Sequence, residues 1–343
     1  MAIIDGQVHL NHLGIEACLG AMDAVGIDGA IIDQYPPTGT RLENGAYRYA
    51  YAMSEQAVLR FPARFSYVAR IDNRDPDRDR LIAGARSHRG CLGLRVDQPS
   101  RAEMAGDGYG AFFRAVMEHN VPTWVVLPGR LGELHPYLDA LPELPVIIDH
   151  AGLLERGENS RDHPFRGIDA LIELARFPKV AVKWGHVTEW SAKPFPYQDA
   201  LDQLRRVVDA FGAARVMWES DWTQTLGNQT LAEMFFSIKL SDRFNVEEKA
   251  YLLGRTALEV MRWDRPEHEV DTVVVGADVW EEFLYKTKNS GRLPHARVEV
   301  IKAGESTPAA GRTFSTLTLP NATTVAVDKL VEAVLFGRIA RVD

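Results

Sequence analysis

Several short apolar runs in this chain end in residues able to do chemistry. One ends in Gln7-Val8-His9, with Asn11 and His12 just beyond. Others end near Arg95 and Asp97, in Asp149-His150, in Lys183 with His186 close behind, and in Glu219-Ser220-Asp221. A carboxylate within reach of water can take up a proton, and imidazoles can donate hydrogen bonds to an oxygen as negative charge develops on it. Each residue also has a plain structural explanation. A histidine near a strand end is commonly a satisfied structural group, and an aspartate after a strand commonly caps the next helix. What favours chemistry is convergence: His9, His150, His186 and Asp221 fall at the same end of successive strands, if these runs are strands of one parallel barrel. His88, His119, His135, His163, His268 and His295 have no such placement and are read as structural.

The spacing of the apolar runs predicts that barrel. Strand-like runs occupy Ala2–Ile4 (leading into the first motif), Gly29–Asp33, Phe65–Ile71, Cys91–Val96, Thr123–Leu127, Val146–Ile148, Val180–Trp184 and Val216–Trp218. Such continuous runs suit strands buried on both faces. Between them, Ile15–Val25, Tyr109–His119, Ile168–Arg176 and Leu201–Phe211 carry apolar residues at helical spacing, and Asn245–Met261 closes the series. Eight strand–helix alternations over residues 1–265 predict a (β/α)8 TIM barrel, whose site lies at the strand C-termini. Alternation then puts Gln7 with His9, and Glu219 with Asp221, on common faces. After Pro266 the character changes. Strands are expected at Val270–Val275, Arg297–Ile301, Thr313–Leu319 and Gly337–Val342, with helices at Asp278–Lys286 and Val327–Leu335. Residues 266–343 are read as a small C-terminal α+β domain of unassigned role.

Composition narrows the class. Of the 343 residues, 46% are hydrophobic and 25% charged, which supports a sizeable core. The net charge of −8 and the scattered lysines and arginines argue against nucleic acid as partner. Cys18 and Cys91 are isolated in apolar settings and suit a reducing compartment. The first residues lack a basic segment followed by an apolar one, and no run approaches about 18 apolar residues. A cytoplasmic chain without a membrane span is expected, forming a homo-oligomer and acting on a small molecule.

Specific motifs sharpen this. Ile4-Asp5-Gly6-Gln7-Val8-His9, Leu144 to Gly152, Val182-Lys183-Trp184-Gly185, Val216 to Trp222, Gly90 to Arg95 and Leu252 to Ala257 together resemble the amidohydrolase-related family (amidohydrolase family 2). Within it they look like the lactonase branch of 2-pyrone-4,6-dicarboxylate, fuconolactone and rhamnonolactone hydrolases. The resemblance spans roughly Ala2 to Trp263 and does not reach the tail. It implies hydrolysis of a small, anionic cyclic ester or amide. Asp221 would be the general base that later returns the proton to the leaving oxygen. His9, His150 and His186 would assist at the carbonyl oxygen. Gln7, His12, Arg95, Lys183, Trp190 and Trp222 are the expected substrate contacts. Arg95 either pairs with a substrate carboxylate or forms a structural ion pair with Asp97 or a neighbour. Trp184, Trp190, Trp218 and Trp222 form either an aromatic wall or core packing.

Two departures from the family pattern matter. The usual His-x-His metal pair is here Gln7-Val8-His9, and a neutral amide oxygen competes poorly for a zinc-like ion. Strand five ends in Leu127-Pro128-Gly129, without a ligand. No cofactor is therefore expected; the alternative is one divalent metal, Zn or Mn, on His9, His150 and Asp221. Glu219 replaces what is generally a small residue. It either raises the proton affinity of Asp221 or satisfies Lys183 or an arginine. The rival functions are a metal-dependent non-oxidative decarboxylase on the same barrel and a non-catalytic barrel used for binding or assembly.

Overall fold

The computed structural model describes residues 2–10, 13–153, 165–224 and 230–265, and beyond them 272–276, 281–282, 285–286, 297–301 and 317–318. By internal contacts the chain divides into two units, Met1–Arg265 and Pro266–Asp343. In the first, the strands in chain order are β1 (Ile4–Val8), β2 (Gly29–Asp33), β3 (Thr38–Arg41), β4 (Tyr47–Ala50), β5 (Phe65–Arg70), β6 (Cys91–Asp97), β7 (Thr123–Val126), β8 (Val146–Ile148), β9 (Ala181–Trp184) and β10 (Val216–Trp218). Eight of them form one parallel sheet in the order β1-β2-β5-β6-β7-β8-β9-β10. The predicted strands are all present, the first running from Ile4 to Val8 and so containing most of its motif. The short β3–β4 antiparallel hairpin was not expected; its residues are polar and largely exposed, so no apolar run announces it.

Alternation along the strands organises the barrel interior. Ile4, Ile31, Val68, Leu92, Trp124, Ile147, Ala181 and Met217, one from each barrel strand, pack into a single apolar cluster with Ala257, Met261 and Trp263. Two residues further on, the inward positions turn polar on several strands: Asp33, Arg70, Asp149, Lys183 and Glu219. The apolar layer is thus the floor beneath a charged layer. The helices bury their apolar stripes on the outside of the same strands. Gln198–Phe211 does so through Ala200, Leu201, Leu204, Val207, Val208 and Phe211, at steps of one or three. The predicted closing helix runs from Val246 to Met261 with a π-type turn at Tyr251–Arg255. There Gly254 admits the Ala2 carbonyl, where a Cβ would collide.

Polar contacts close the seam between β1 and β10. Val8 bridges Trp222 in parallel, and the Asp221 N–H donates to the Gln7 carbonyl at 3.0 Å. The Ser220 N–H donates to Asp5 Oδ1 at 2.8 Å. Asp5 is fully buried, and burial pushes its carboxyl up to about 7 against the hydrogen bonds from Ser220 and Gln7. The sign follows from proton linkage. The unfolded chain gives up this proton near its ordinary 3.8, whereas the folded chain keeps it to about 7. Stability present at low pH is therefore lost as pH rises through that window. Asp5→Asn, which mimics the protonated form, should lessen the fall in unfolding free energy between about pH 5 and pH 8 by about 2–3 kcal/mol. Urea titrations of both proteins at the two pH values measure this; parallel pH curves would contradict it.

In the second unit, β11 (Thr272–Gly276) pairs in parallel with β12 (Arg297–Ile301) on one side and with β13 (Leu317–Thr318) on the other. Residues 281–282 and 285–286, within the predicted helix Asp278–Lys286, are helical. The predicted helix Val327–Leu335 and strand Gly337–Val342 lie outside the described residues. Among the described residues no helix is long and apolar enough to cross a membrane.

Candidate active site

Asp221 is the centre of the strand-end cluster. It follows β10 by three residues, is 1% exposed, and each carboxylate oxygen is contacted by neighbours from other strands. Oδ1 accepts from the Gln7 amide nitrogen and meets His9 Nε2 at 2.7 Å; Oδ2 meets His186 Nε2. Burial alone would raise its proton affinity. The charges of His9, His186 and His150 and the His186 hydrogen bond outweigh burial and hold the carboxyl well below the usual range. For His186 burial opposes the charge, but the Asp221 carboxylate and then Glu189 push it up to about 10. The second nitrogen of each flanking ring is also engaged. His9 Nδ1 lies 2.7 Å from the Asp33 carbonyl, and His186 Nδ1 lies 3.3 Å from Glu189 Oε2.

The backbone at these positions is unusual. His150, His186 and Asp221 take positive φ values of 48°, 58° and 52°. Residues with a Cβ seldom adopt this left-handed region, and such strain concentrates at functional sites.

A charged layer lies around this cluster. Asp33 receives Arg70 at 2.6 Å and also contacts Arg95, whose other arm is 2.9 Å from Asp149. Lys183, fully buried over the face of Trp124, lies 2.6 Å from both Asp149 and Glu219. Three cations thus balance three carboxylates, as charges in a low-dielectric interior require. Asp149 is held well below the usual carboxylate range, since His150, Lys183 and Arg95 together overcome its burial. Lys183 also donates to Gln7 Oε1. An ammonium can only donate and a carboxylate only accept, so the Gln7 amide is oriented: oxygen toward Lys183, N–H toward Asp221. Glu219 reaches His150 Nδ1 at 2.7 Å.

A cavity of about 640 Å³ opens over the cluster. His9, His150, His186 and Asp221 all border it, so the four expected catalytic residues are brought together. Arg95 and Trp190 border it too. Three expected substrate contacts lie off the cavity lining. Gln7 and Lys183 are wholly buried and absent from the lining; they support Asp221 and the charged layer. Trp222 pairs with β1 through its backbone while its side chain joins the outer core, as do Trp184 and Trp218. The aromatic wall therefore reduces to Trp190, with Tyr35 also on the lining. His12 lies outside the described residues. Arg95 is ion-paired to Asp33 and Asp149. Glu219 satisfies Lys183 and His150, and the surrounding imidazoles, not Glu219, set the direction of the Asp221 shift, which is downward. Asp33 and Arg70 were missed as site residues. The available signal was a charged residue at, or one position before, the end of each of two apolar runs.

Among the described residues, two groups have the residue types to hold a metal ion: His150, His186 and Asp221, and Asp149, His150 and Glu219. Neither fits well. In the first, His186 Nε2 and Asp221 Oδ2 are already bonded to each other. In the second, the Lys183 ammonium sits against both carboxylates, so a fixed cation already neutralises them. The Gln7 amide, at the family's metal-binding position, turns a donor rather than an acceptor toward Asp221.

A parallel eight-stranded barrel with imidazoles and a carboxylate gathered at its strand ends defines a barrel of the hydrolase type. The chain belongs to the amidohydrolase family, whose model matches residues 16–262. An L-fucono-1,5-lactonase of Burkholderia ambifaria is 30% identical over 152 residues, which is 41% of this chain and 50% of that protein. The match therefore spans about half the length of this curated relative. An amidohydrolase from Burkholderia multivorans, solved with bound zinc, superposes with a TM-score of 0.61 at 19% identity, covering 76% of this chain and 99% of that one. A putative 2-pyrone-4,6-dicarboxylic acid hydrolase from Pseudomonas putida gives 0.58 at 20% identity, covering 77% and 98%. At these identities the structural matches speak for the fold.

Proposed function

We propose that this chain is a hydrolase of small six-membered lactones that works without a bound metal. The carrying observation is Asp221, held between His9 and His186 at the base of a cavity. A carboxylate offers about four lone-pair sites, and Gln7, His9 and His186 take three, leaving one for a water. That water attacks the lactone carbonyl carbon while Asp221 takes its proton. The positive charge of His186 and the nearby imidazoles of His9 and His150 stabilise the carbonyl oxygen as it becomes negative. Because Asp221 binds a proton weakly, it passes the proton on readily.

The metal-free reading rests on the donor set: the Gln7 amide N–H and the Lys183 ammonium occupy positions a cation would need. The Burkholderia multivorans relative was solved with zinc, so metal content is the first measurement. Elemental analysis of purified protein should find substoichiometric zinc and manganese, and chelator should leave turnover unchanged. Zinc present at one per chain and lost together with activity would reverse the assignment. The substrate panel follows from the relatives' names: sugar 1,5-lactones and pyrone dicarboxylates, both six-membered cyclic esters. Ring opening releases a carboxylic acid, so a pH-indicator assay detects it. Absence of turnover across that panel would sink the proposal.

A further inference from the structure

The lactone mechanism, on which the following rests, needs a second proton transfer, to the ring oxygen as it leaves, which the family resemblance gives to Asp221. Asp221 already accepts from three donors, Gln7, His9 and His186. His150 is differently placed. It borders the cavity with a side chain 18% exposed, and its ring lies 4.5 Å from that of His186. Its Nδ1 faces inward onto Glu219 Oε1 at 2.7 Å, while its Nε2 has no partner assigned to it among the described residues. Glu219 is itself held: Lys183 Nζ lies 2.6 Å from its other oxygen. Gly185 makes room for this side chain, since a Cβ there would overlap Glu219 Cγ and Oε1. Nothing in the hydrolysis described so far uses this buried carboxylate.

We infer that His150 and Glu219 form a dyad that delivers the proton to the leaving ring oxygen. Glu219, as a positioning residue, keeps the His150 proton on Nδ1 and Nε2 toward substrate. The step balances as follows. Water oxygen bonds to the carbonyl carbon and its proton goes to Asp221. The bond between that carbon and the ring oxygen breaks, and the ring oxygen takes the Nε2 proton of the His150 imidazolium. Proton exchange between protonated Asp221 and neutral His150 through an intervening water restores both, a ring nitrogen of His150 lying within 4.8 Å of an Asp221 carboxylate oxygen.

The test uses Glu219→Gln and two six-membered lactones, δ-valerolactone, which releases an alcohol, and 3,4-dihydrocoumarin, which releases a phenol. Lys183 draws the new amide oxygen, so the amide N–H faces His150 Nδ1 and forces the proton to Nε2. Without a competent acid, kcat for the alcohol-releasing lactone should fall about 100-fold, and for the phenol-releasing lactone by about 3-fold at most. KM should change little for either. A purely structural role would lower both rates alike, and that outcome overturns the inference. Wild-type protein that opens neither lactone counts against the proposed function instead. The dyad is then judged by nuclear magnetic resonance of 15N-histidine-labelled protein, with His150 assigned by its loss in His150→Gln. Nδ1 should bear a proton throughout in the wild type and be bare in neutral Glu219→Gln. A bare Nδ1 in the wild type, which requires no variant to fold, also overturns the inference.

Discussion

Asp221→Asn should lower kcat by about 1,000-fold while circular dichroism stays unchanged. The replacement has nearly the same shape, and among the described residues the carboxylate meets side chains: Gln7, His9 and His186. The loss is therefore expected in kcat more than in KM. Two effects combine. The amide cannot take the water's proton, and its NH2 must face one of the donors that now meet a carboxylate oxygen: Gln7, His9 or His186. An amide has one acceptor oxygen where the carboxylate had two, so at least one imidazole must change its partner or its protonated nitrogen. Turnover within about 3-fold of wild type would remove Asp221 from the mechanism.

The second large effect is expected in stability. Lys183→Met keeps an unbranched side chain over Trp124 but removes the ammonium that contacts Asp149, Glu219 and the Gln7 amide oxygen. Replacing an entire buried ion pair by apolar groups can be neutral, whereas removing one partner strands the others. Here two buried carboxylates lose their shared cation, and Gln7 loses the contact that orients it. An unfolding free energy lower by about 3–5 kcal/mol is expected from urea titration. A loss below about 1 kcal/mol would mean that the charged layer contributes no more than a surface pair. Activity should fall as well, because a Gln7 amide free to flip would set its oxygen against Asp221.

Much of the barrel was legible in residue order because its strands are buried on both faces. Short runs such as Val146–Ile148 and Val216–Trp218 stand out as unbroken apolar segments, and the last residues of a parallel strand must sit at the site end. The hairpin Thr38–Ala50 was illegible for the opposite reason: its strands bury little, and no periodicity marks them. Trp222 shows a further limit. Its neighbour Asp221 faces the cavity, yet hydrogen bonding to β1 sends Trp222 into the outer core, a direction decided by a strand more than 200 residues away.

Residue types and spacing alone determined that His9, His150, His186 and Asp221 would fall at one end of the barrel, since strand polarity leaves little choice; that His150 and His186 turn into the cavity was decided by their left-handed backbone, which alternation does not foretell. Only the tertiary structure decided which atoms meet. That Gln7 turns its N–H to Asp221, that Glu219 holds His150, and that Asp33 ties Arg70 to Arg95 are outcomes of charge balance across the barrel lumen. In that interior a buried charge is tolerated only beside its partner, and the partner is chosen by distance in space, which residue order does not encode.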